Sequence, residues 1–369
     1  MGNCIFMVAG EASGDLYGAR LIEALKKELP DIEIRGIGGP CMRSVGLHPV
    51  YEAEKLTVVG MTEVFYHLKH IYLAWQRAKK DFLSHSFKLF VPIDYPDFNL
   101  RLASYAKKLN IPVFYYISPQ IWAWRKNRAK KIASLVKEMA VILPFEEAFY
   151  RPFGVRAVFV GHPLLDIMPL SEVKDEKIIG ILPGSRPSEI RYILPIMLAA
   201  ACLIYKKRPE FKFILPIAPT LKKDYLYNII KNEKLNVPID LVKDESYNLR
   251  RRCCFLIVAS GTATLETAIL LKPFVIVYRL SSISYILGKR LIKIPYIGLV
   301  NWVAGKKIVP EFVQYQAKPE LIAKMVLDFL DDPEKIKKMK EELKKLRACL
   351  GTPGVAERVA KRIKRFLIT

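Results

Sequence analysis

The chain has 369 residues, enough for about two domains, and 51% of them are hydrophobic, so two full cores can be buried. No run reaches the roughly 18–20 uninterrupted apolar residues of a membrane span, and the apolar start is too short for a secretory signal and lacks its basic flank, which predicts a cytoplasmic protein. The net charge of +23 fits an anionic partner, nucleic acid or membrane surface, or the Lys-rich, Gln-poor composition that accompanies growth at high temperature; composition alone does not choose.

The predicted elements alternate along the chain. Strands are expected at 5–8, 33–37, 88–93, 113–117, 139–143 and 157–160, with helices at 15–28, 61–85, 99–109 and 145–150. Residues 163–177, carrying Pro169, Ser171 and a run of charges, read as a linker. The pattern restarts with strands at 178–182, 211–216, 239–242, 255–258 and 274–278 and helices at 190–207, 220–232 and 264–271. Beyond Asp328 the chain is nearly all helix, with Pro333 in a first turn and Gly351, Pro353 and Gly354 separating two terminal helices. Such alternation builds right-handed βαβ units and parallel sheets. The fold class is therefore α/β: two doubly wound, Rossmann-like domains facing a central cleft, over 1–165 and 177–350, with a C-terminal helix over 351–369.

Six cysteines show no framework spacing, no C-x-x-C pair is present and five histidines are scattered, so free thiols and no structural zinc are expected. Chemistry concentrates where strands end. Leu182-Pro183-Gly184-Ser185-Arg186 follows an apolar run and opens a helix, which sets backbone N–H groups, a hydroxyl and a guanidinium at a phosphate-binding position. Ser260-Gly261-Thr262-Ala263-Thr264-Leu265-Glu266 repeats the arrangement, with Glu266 one turn into its helix and able to accept from ribose hydroxyls. Two such elements in one half suggest a nucleotide diphosphate. No Asp-x-Asp motif accompanies them, which favours a metal-independent reaction needing no cofactor.

In the first half, Gly10-Glu11-Ala12-Ser13-Gly14-Asp15 turns strand into helix. It is either a turn capped by Ser13 or Asp15, or a site in which Glu11 points into the ligand crevice. Asp94, at the end of an apolar strand before Tyr95-Pro96-Asp97-Phe98-Asn99, is the candidate general base, because partial desolvation raises a carboxyl's pKa; Asp97 is the alternative base, and Asp97 or Asn99 a cap. Ser118-Pro119-Gln120-Ile121-Trp122-Ala123-Trp124-Arg125 lines a pocket or packs a core, and His162 in Gly161-His162-Pro163 is a ligand-binding or a structural residue. The aromatic stretch 61–77, with Arg77, Lys79 and Lys80, is a buried helix or an interfacial one.

Together with Leu143-Pro144-Phe145-Glu146, Glu189, Asn301 and Pro310-Glu311, these motifs closely resemble the lipid-A-disaccharide synthase family, glycosyltransferases of bacterial outer-membrane biosynthesis, nearly end to end. The resemblance implies a GT-B fold and an inverting hexosyltransferase that joins UDP-2,3-diacylglucosamine to 2,3-diacylglucosamine 1-phosphate (lipid X) through a β(1→6) bond, releasing UDP. It implies that Ser185, Arg186, Gly261, Thr262, Glu266 and Asn301 bind the UDP-sugar, and that Asp94, with Glu11 near it, serves the acceptor. It also implies a homodimer exchanging C-terminal segments, and peripheral association with the anionic inner membrane. No nucleic acid partner is expected, since no RRM, KH or helix-turn-helix pattern appears. An epimerase or a lipid II-type transferase of the same fold, acting on UDP-GlcNAc-type donors, is the alternative. The basic tail Lys361-Arg362-Ile363-Lys364-Arg365 lies outside the family pattern and reads as a membrane patch or a solvated helix face.

Overall fold

A computed structural model describes residues 3–56, 64–124, 128–218, 221–233, 236–244, 247–280 and 295–368. The chain divides into two compact units, Met1–Asp166 with Leu350–Thr369, and Ile167–Cys349.

In the first unit, seven strands form one parallel sheet in the order β3-β2-β1-β4-β5-β6-β7. They are β1 (Cys4–Ala9), β2 (Glu33–Gly38), β3 (His48–Glu52), β4 (Leu89–Ile93), β5 (Phe114–Tyr116), β6 (Glu138–Val141) and β7 (Ala157–Phe159). β1 and β4 are buried throughout, as expected of central strands covered by helices on both faces. Phe6, Phe82, Phe87 and Phe90 pack as a tilted and edge-on cluster at one face. Chain order reverses between β1 and β4. The crevice outside their carboxyl ends is therefore the place where a sheet of this type binds ligand.

The C-terminal segment belongs to this unit rather than standing apart. Asp166 accepts hydrogen bonds from the amides of Gly354, Val355 and Ala356 at 2.7, 3.1 and 2.9 Å, which caps the helix Val355–Ile368. That helix buries Val359, Ala360, Ile363 and Leu367 on one face. Its basic residues are partly consumed at home: Arg362 pairs with Glu138 at 2.6 Å and Lys364 with Glu28 at 3.0 Å.

The second unit holds six parallel strands in the order β10-β9-β8-β11-β12-β13. They are β8 (Glu176–Leu182), β9 (Lys212–Pro216), β10 (Ile239–Val242), β11 (Cys253–Ala259), β12 (Phe274–Tyr278) and β13 (Glu311–Val313). Here the reversal falls between β8 and β11. Helix Pro187–Lys207 is long and apolar enough to cross a membrane, with mean hydropathy 1.5 over its most apolar window, but 56% of that window is buried against the unit. It reads as a core helix.

The strands β3 and β13 and the helices Pro40–Ser44, Leu299–Ala304 and Pro319–Leu330 were not anticipated from sequence. β3 (HPVYE) and β13 (EFV) are short edge strands with little apolar signal of their own. The presumed linker also begins inside structure, with a short helix at Leu164–Ile167 and β8 starting at Glu176.

Candidate active site

At the switch point of the first unit, the turn after β4 carries two consecutive non-glycine residues in the left-handed region, Asp94 (φ 45°) and Tyr95 (φ 47°). Pro96 then opens the helix Pro96–Lys108. The Asp94 amide bonds the Tyr116 carbonyl at 3.1 Å, which continues the ladder to β5. Burial first, and then the nearby charge of Glu11, push the Asp94 carboxyl up to about 7. Glu11 ends the turn after β1 as the N-cap of helix Ala12–Glu28, where its side chain makes no capping bond. The two predicted carboxylates are thus brought together from adjacent strands. Gly10 is required beside them, because a Cβ there would run into the Tyr95 ring.

Asp97 lies three residues on and differs in every respect. Its side chain is 74% exposed and pairs with Arg128 at 2.7 Å. Asp15 caps no part of its own helix. Its buried carboxylate accepts from the amides of Gly39, Cys41 and Met42 at 2.7, 2.9 and 3.0 Å, fixing the start of helix Pro40–Ser44. The cap expected from Asp15 or Ser13 is therefore replaced by a bond across the sheet edge.

The motifs at 118–125 and 143–146 converge on one carboxylate. Glu146 is fully buried and accepts from Ser118 Oγ at 2.5 Å, Trp122 Nε1 at 3.3 Å, and the amides of Ile142 and Leu143 at 3.2 and 2.9 Å. Burial pushes it up to about 7 despite these donors. Sequence reading quoted Glu146 without giving it a role, since only the fold reveals what it holds. Trp122 packs edge-on against Phe145, 5.0 Å between centroids. Arg125 and Lys126 lie outside the described residues. His162 is buried, its pKa pushed down to about 3 by that burial, and its Nδ1 accepts from the Leu164 amide at 3.2 Å, which fixes the turn into the helix Leu164–Ile167.

In the second unit, β8 and β11 each feed a helix whose N-cap makes no side-chain bond. Gly184 (φ 98°) turns the chain after β8, leaving Ser185 and Arg186 exposed at the start of Pro187–Lys207. Arg186 is 67% exposed and reaches Glu189 at 3.4 Å. Gly261 and Thr262 are likewise exposed at the start of helix Thr262–Ile269. Four of the predicted donor-site residues therefore stand at two exposed helix N-termini, with the Arg186 guanidinium beside one of them.

Glu266 and Asn301 are placed differently. Glu266 is partly buried and accepts from Arg250 Nη1 at 2.9 Å; Arg250 also bonds Asp244 at 2.8 Å and stacks over Tyr247, 4.2 Å from the ring centroid. Burial raises the Glu266 carboxyl while Arg250 opposes the shift. Asn301 is fully buried: its Nδ2 donates to the Val309 carbonyl and Glu311 Oε1, both at 2.8 Å, and its Oδ1 accepts from the amides of Ile308 and Val309 at 2.8 and 2.9 Å. Its amide is fully committed. Glu311 in turn binds the amides of Ile297 and Gly298, and Ser260 Oγ donates to the Ile297 carbonyl at 3.0 Å. Asn301 and Glu311 therefore frame the loop beside the helix start at Gly261.

Comparisons with known proteins bear on the family and the fold. The family model for lipid-A-disaccharide synthetase matches residues 5–360. The lipid-A-disaccharide synthase of Syntrophus aciditrophicus is 45% identical over 368 residues, covering 96% of each chain. Among solved structures, a Listeria monocytogenes protein assigned provisionally as a UDP-N-acetylglucosamine 2-epimerase matches with TM-score 0.69 at 12% identity, over 100% of this chain and 98% of that one. Acinetobacter baumannii MurG matches with TM-score 0.57 at 13% identity, over 98% and 99%. The structural matches establish the GT-B architecture, and the sequence matches go further: the chain belongs to the lipid-A-disaccharide synthetase family.

Proposed function

We infer that the chain transfers 2,3-diacylglucosamine from its UDP donor to the 6-hydroxyl of 2,3-diacylglucosamine 1-phosphate, giving the β(1→6) disaccharide 1-phosphate and UDP. The observation that carries the reading within the molecule is Asp94, a strand-end carboxyl with a pKa near 7 beside Glu11. In this reading Asp94 takes the proton of the acceptor hydroxyl as its oxygen bonds the anomeric carbon. The carbon–phosphate oxygen bond breaks on the opposite face, which inverts the configuration. The electron pair leaves with UDP, and Arg186 with the open helix starts at 187 and 262 holds that charge. Asp97, exposed and paired with Arg128, is the weaker base.

The substrates carry acyl chains, and helix Val64–Ser84 offers a surface suited to them. It buries Ala74, Ala78 and Phe82 but exposes Leu68, Tyr72, Leu73 and Leu83 beside Lys69, Arg77 and Lys80. Residues 61–63 of the predicted aromatic stretch lie outside the described part. We propose that this face docks on the anionic cytoplasmic leaflet of the inner membrane. The homodimer with exchanged C-terminal segments remains part of the proposal, with the glycines at 351 and 354 as its hinge; light scattering of the purified protein tests it.

The test of the reaction is incubation with UDP-2,3-diacylglucosamine and lipid X in EDTA, following UDP and disaccharide. Disaccharide from the wild type and none from folded Asp94→Asn supports it. UDP release that ignores lipid X would support the alternative, an epimerase-like enzyme of the same fold.

A further inference from the structure

We propose that Asn99 and Tyr115 are positioning residues that aim the Asp94 carboxyl by clamping the backbone carbonyl of the same residue. The inference rests on the reading of Asp94 as the base. The Asp94 carbonyl accepts Asn99 Nδ2 at 2.7 Å and the Tyr115 hydroxyl at 2.8 Å, so both its lone pairs are used. Asn99 is fully buried and its Nδ2 also lies 3.3 Å from the Ile93 carbonyl and 3.5 Å from that of Val8, which ties the ends of β1 and β4 to the same point. Tyr115 reaches in from β5 and is itself fully buried.

The clamp has a cost that packing alone does not explain. Asp94 and Tyr95 both sit in the left-handed region, where a non-glycine residue is strained, and the strain is held at a ligand crevice. Asn99 Oδ1 is buried with no hydrogen-bond partner, so the amide forgoes its own acceptor bond while its nitrogen holds Asp94. Gly10 completes the device, because only a residue without Cβ leaves room for the Tyr95 ring. Released from the clamp, the turn can relax toward ordinary φ values, and the carboxyl swings with it. A general base displaced by about 1 Å loses on the order of a hundredfold in rate.

The test compares Asp94→Asn, Asn99→Ala and Tyr115→Phe, with kcat, both KM values, UDP affinity and thermal midpoint measured for each. Tyr115→Phe is included because it keeps the ring and is the variant surer to fold. The expected result is a fall in kcat of about 10- to 100-fold in both clamp variants, with KM and UDP affinity changed less than about threefold. The acid limb of the pH–rate profile should also move, since the carboxyl's exposure to Glu11, Glu146 and solvent changes. Loss of Asp94→Asn activity with kcat intact per folded molecule in the clamp variants would overturn the positioning role alone. Full activity in Asp94→Asn would overturn both that role and the base on which it rests.

Discussion

Replacing Asp94 with Asn should remove activity and, above neutral pH, make the protein more stable. Asparagine has nearly the same shape and tolerates φ 45° as well as aspartate does, so the backbone strain at this turn is retained. What changes is the charge. The folded-state pKa of Asp94 is raised, from the ordinary 3.8 to about 7. Its contribution to stability is therefore full below about pH 4 and is lost as pH rises through 7. At about 1.4 kcal/mol per tenfold, the gap amounts to about 4 kcal/mol at pH 8, and partial solvent contact reduces this to about 2–3 kcal/mol. Urea unfolding of wild type and variant at half-unit steps from pH 4 to 8 reads this directly. The stability difference should be near its minimum at pH 4 and widen steadily to pH 7. A difference that stays constant across the range would refute the idea that Asp94 is held partly protonated by its surroundings.

Glu11→Gln should lower the acid limb of the pH–rate profile, by about half a pH unit, since burial remains the larger cause of the raised Asp94 value; profiles of kcat/KM check it. Arg250→Gln removes the guanidinium that holds the Glu266 carboxylate in place, and isothermal titration should then show a smaller preference for UDP over 2′-deoxy-UDP than in the wild type. Asn301→Ala removes four buried hydrogen bonds and should cost about 3 kcal/mol in urea unfolding. UDP affinity per folded molecule should fall less than about threefold, because the Asn301 amide is already spent on the loop it frames.

The parallel sheets were legible because their central strands are short apolar runs flanked by turn residues. Cys4–Ala9 and Leu89–Ile93 are examples that periodicity finds without help. Edge elements were not legible, since β3 and β13 derive their order from a neighbour's backbone rather than from their own side chains. At the candidate site, strand-end position singled out Asp94 and separated it from generic surface carboxylates. It could not separate Asp94 from Asp97, because the distinction is between a carboxyl under a strained turn and one facing solvent beside Arg128. Asn301 shows another part of the site that sequence leaves unread. A polar residue in a strong motif suggests ligand contact, and only the fold shows its amide already spent on Val309, Ile308 and Glu311.

The two switch points use the same backbone geometry for opposite electrostatic ends. After β1 and β4, the first unit concentrates negative charge: Glu11 and Asp94 face the crevice, Glu146 lies buried behind, and Asp15 caps the neighbouring helix Pro40–Ser44. A proton acceptor is favoured there: burial first, and then the charges of Glu11 and Glu146, raise the Asp94 carboxyl into the working range. After β8 and β11, the second unit leaves two helix starts without side-chain caps and sets Arg186 beside one of them. Unsatisfied amides at exposed helix starts attract an anion rather than a proton. A glycosyl transfer needs both, a base for the incoming hydroxyl and a sink for the departing diphosphate. A helix start or guanidinium set against Asp94 would oppose the rise that burial and Glu11 produce there. Each sheet supplies one of the two: the first a carboxyl raised by burial to about 7, the second a pair of helix starts open to an anion.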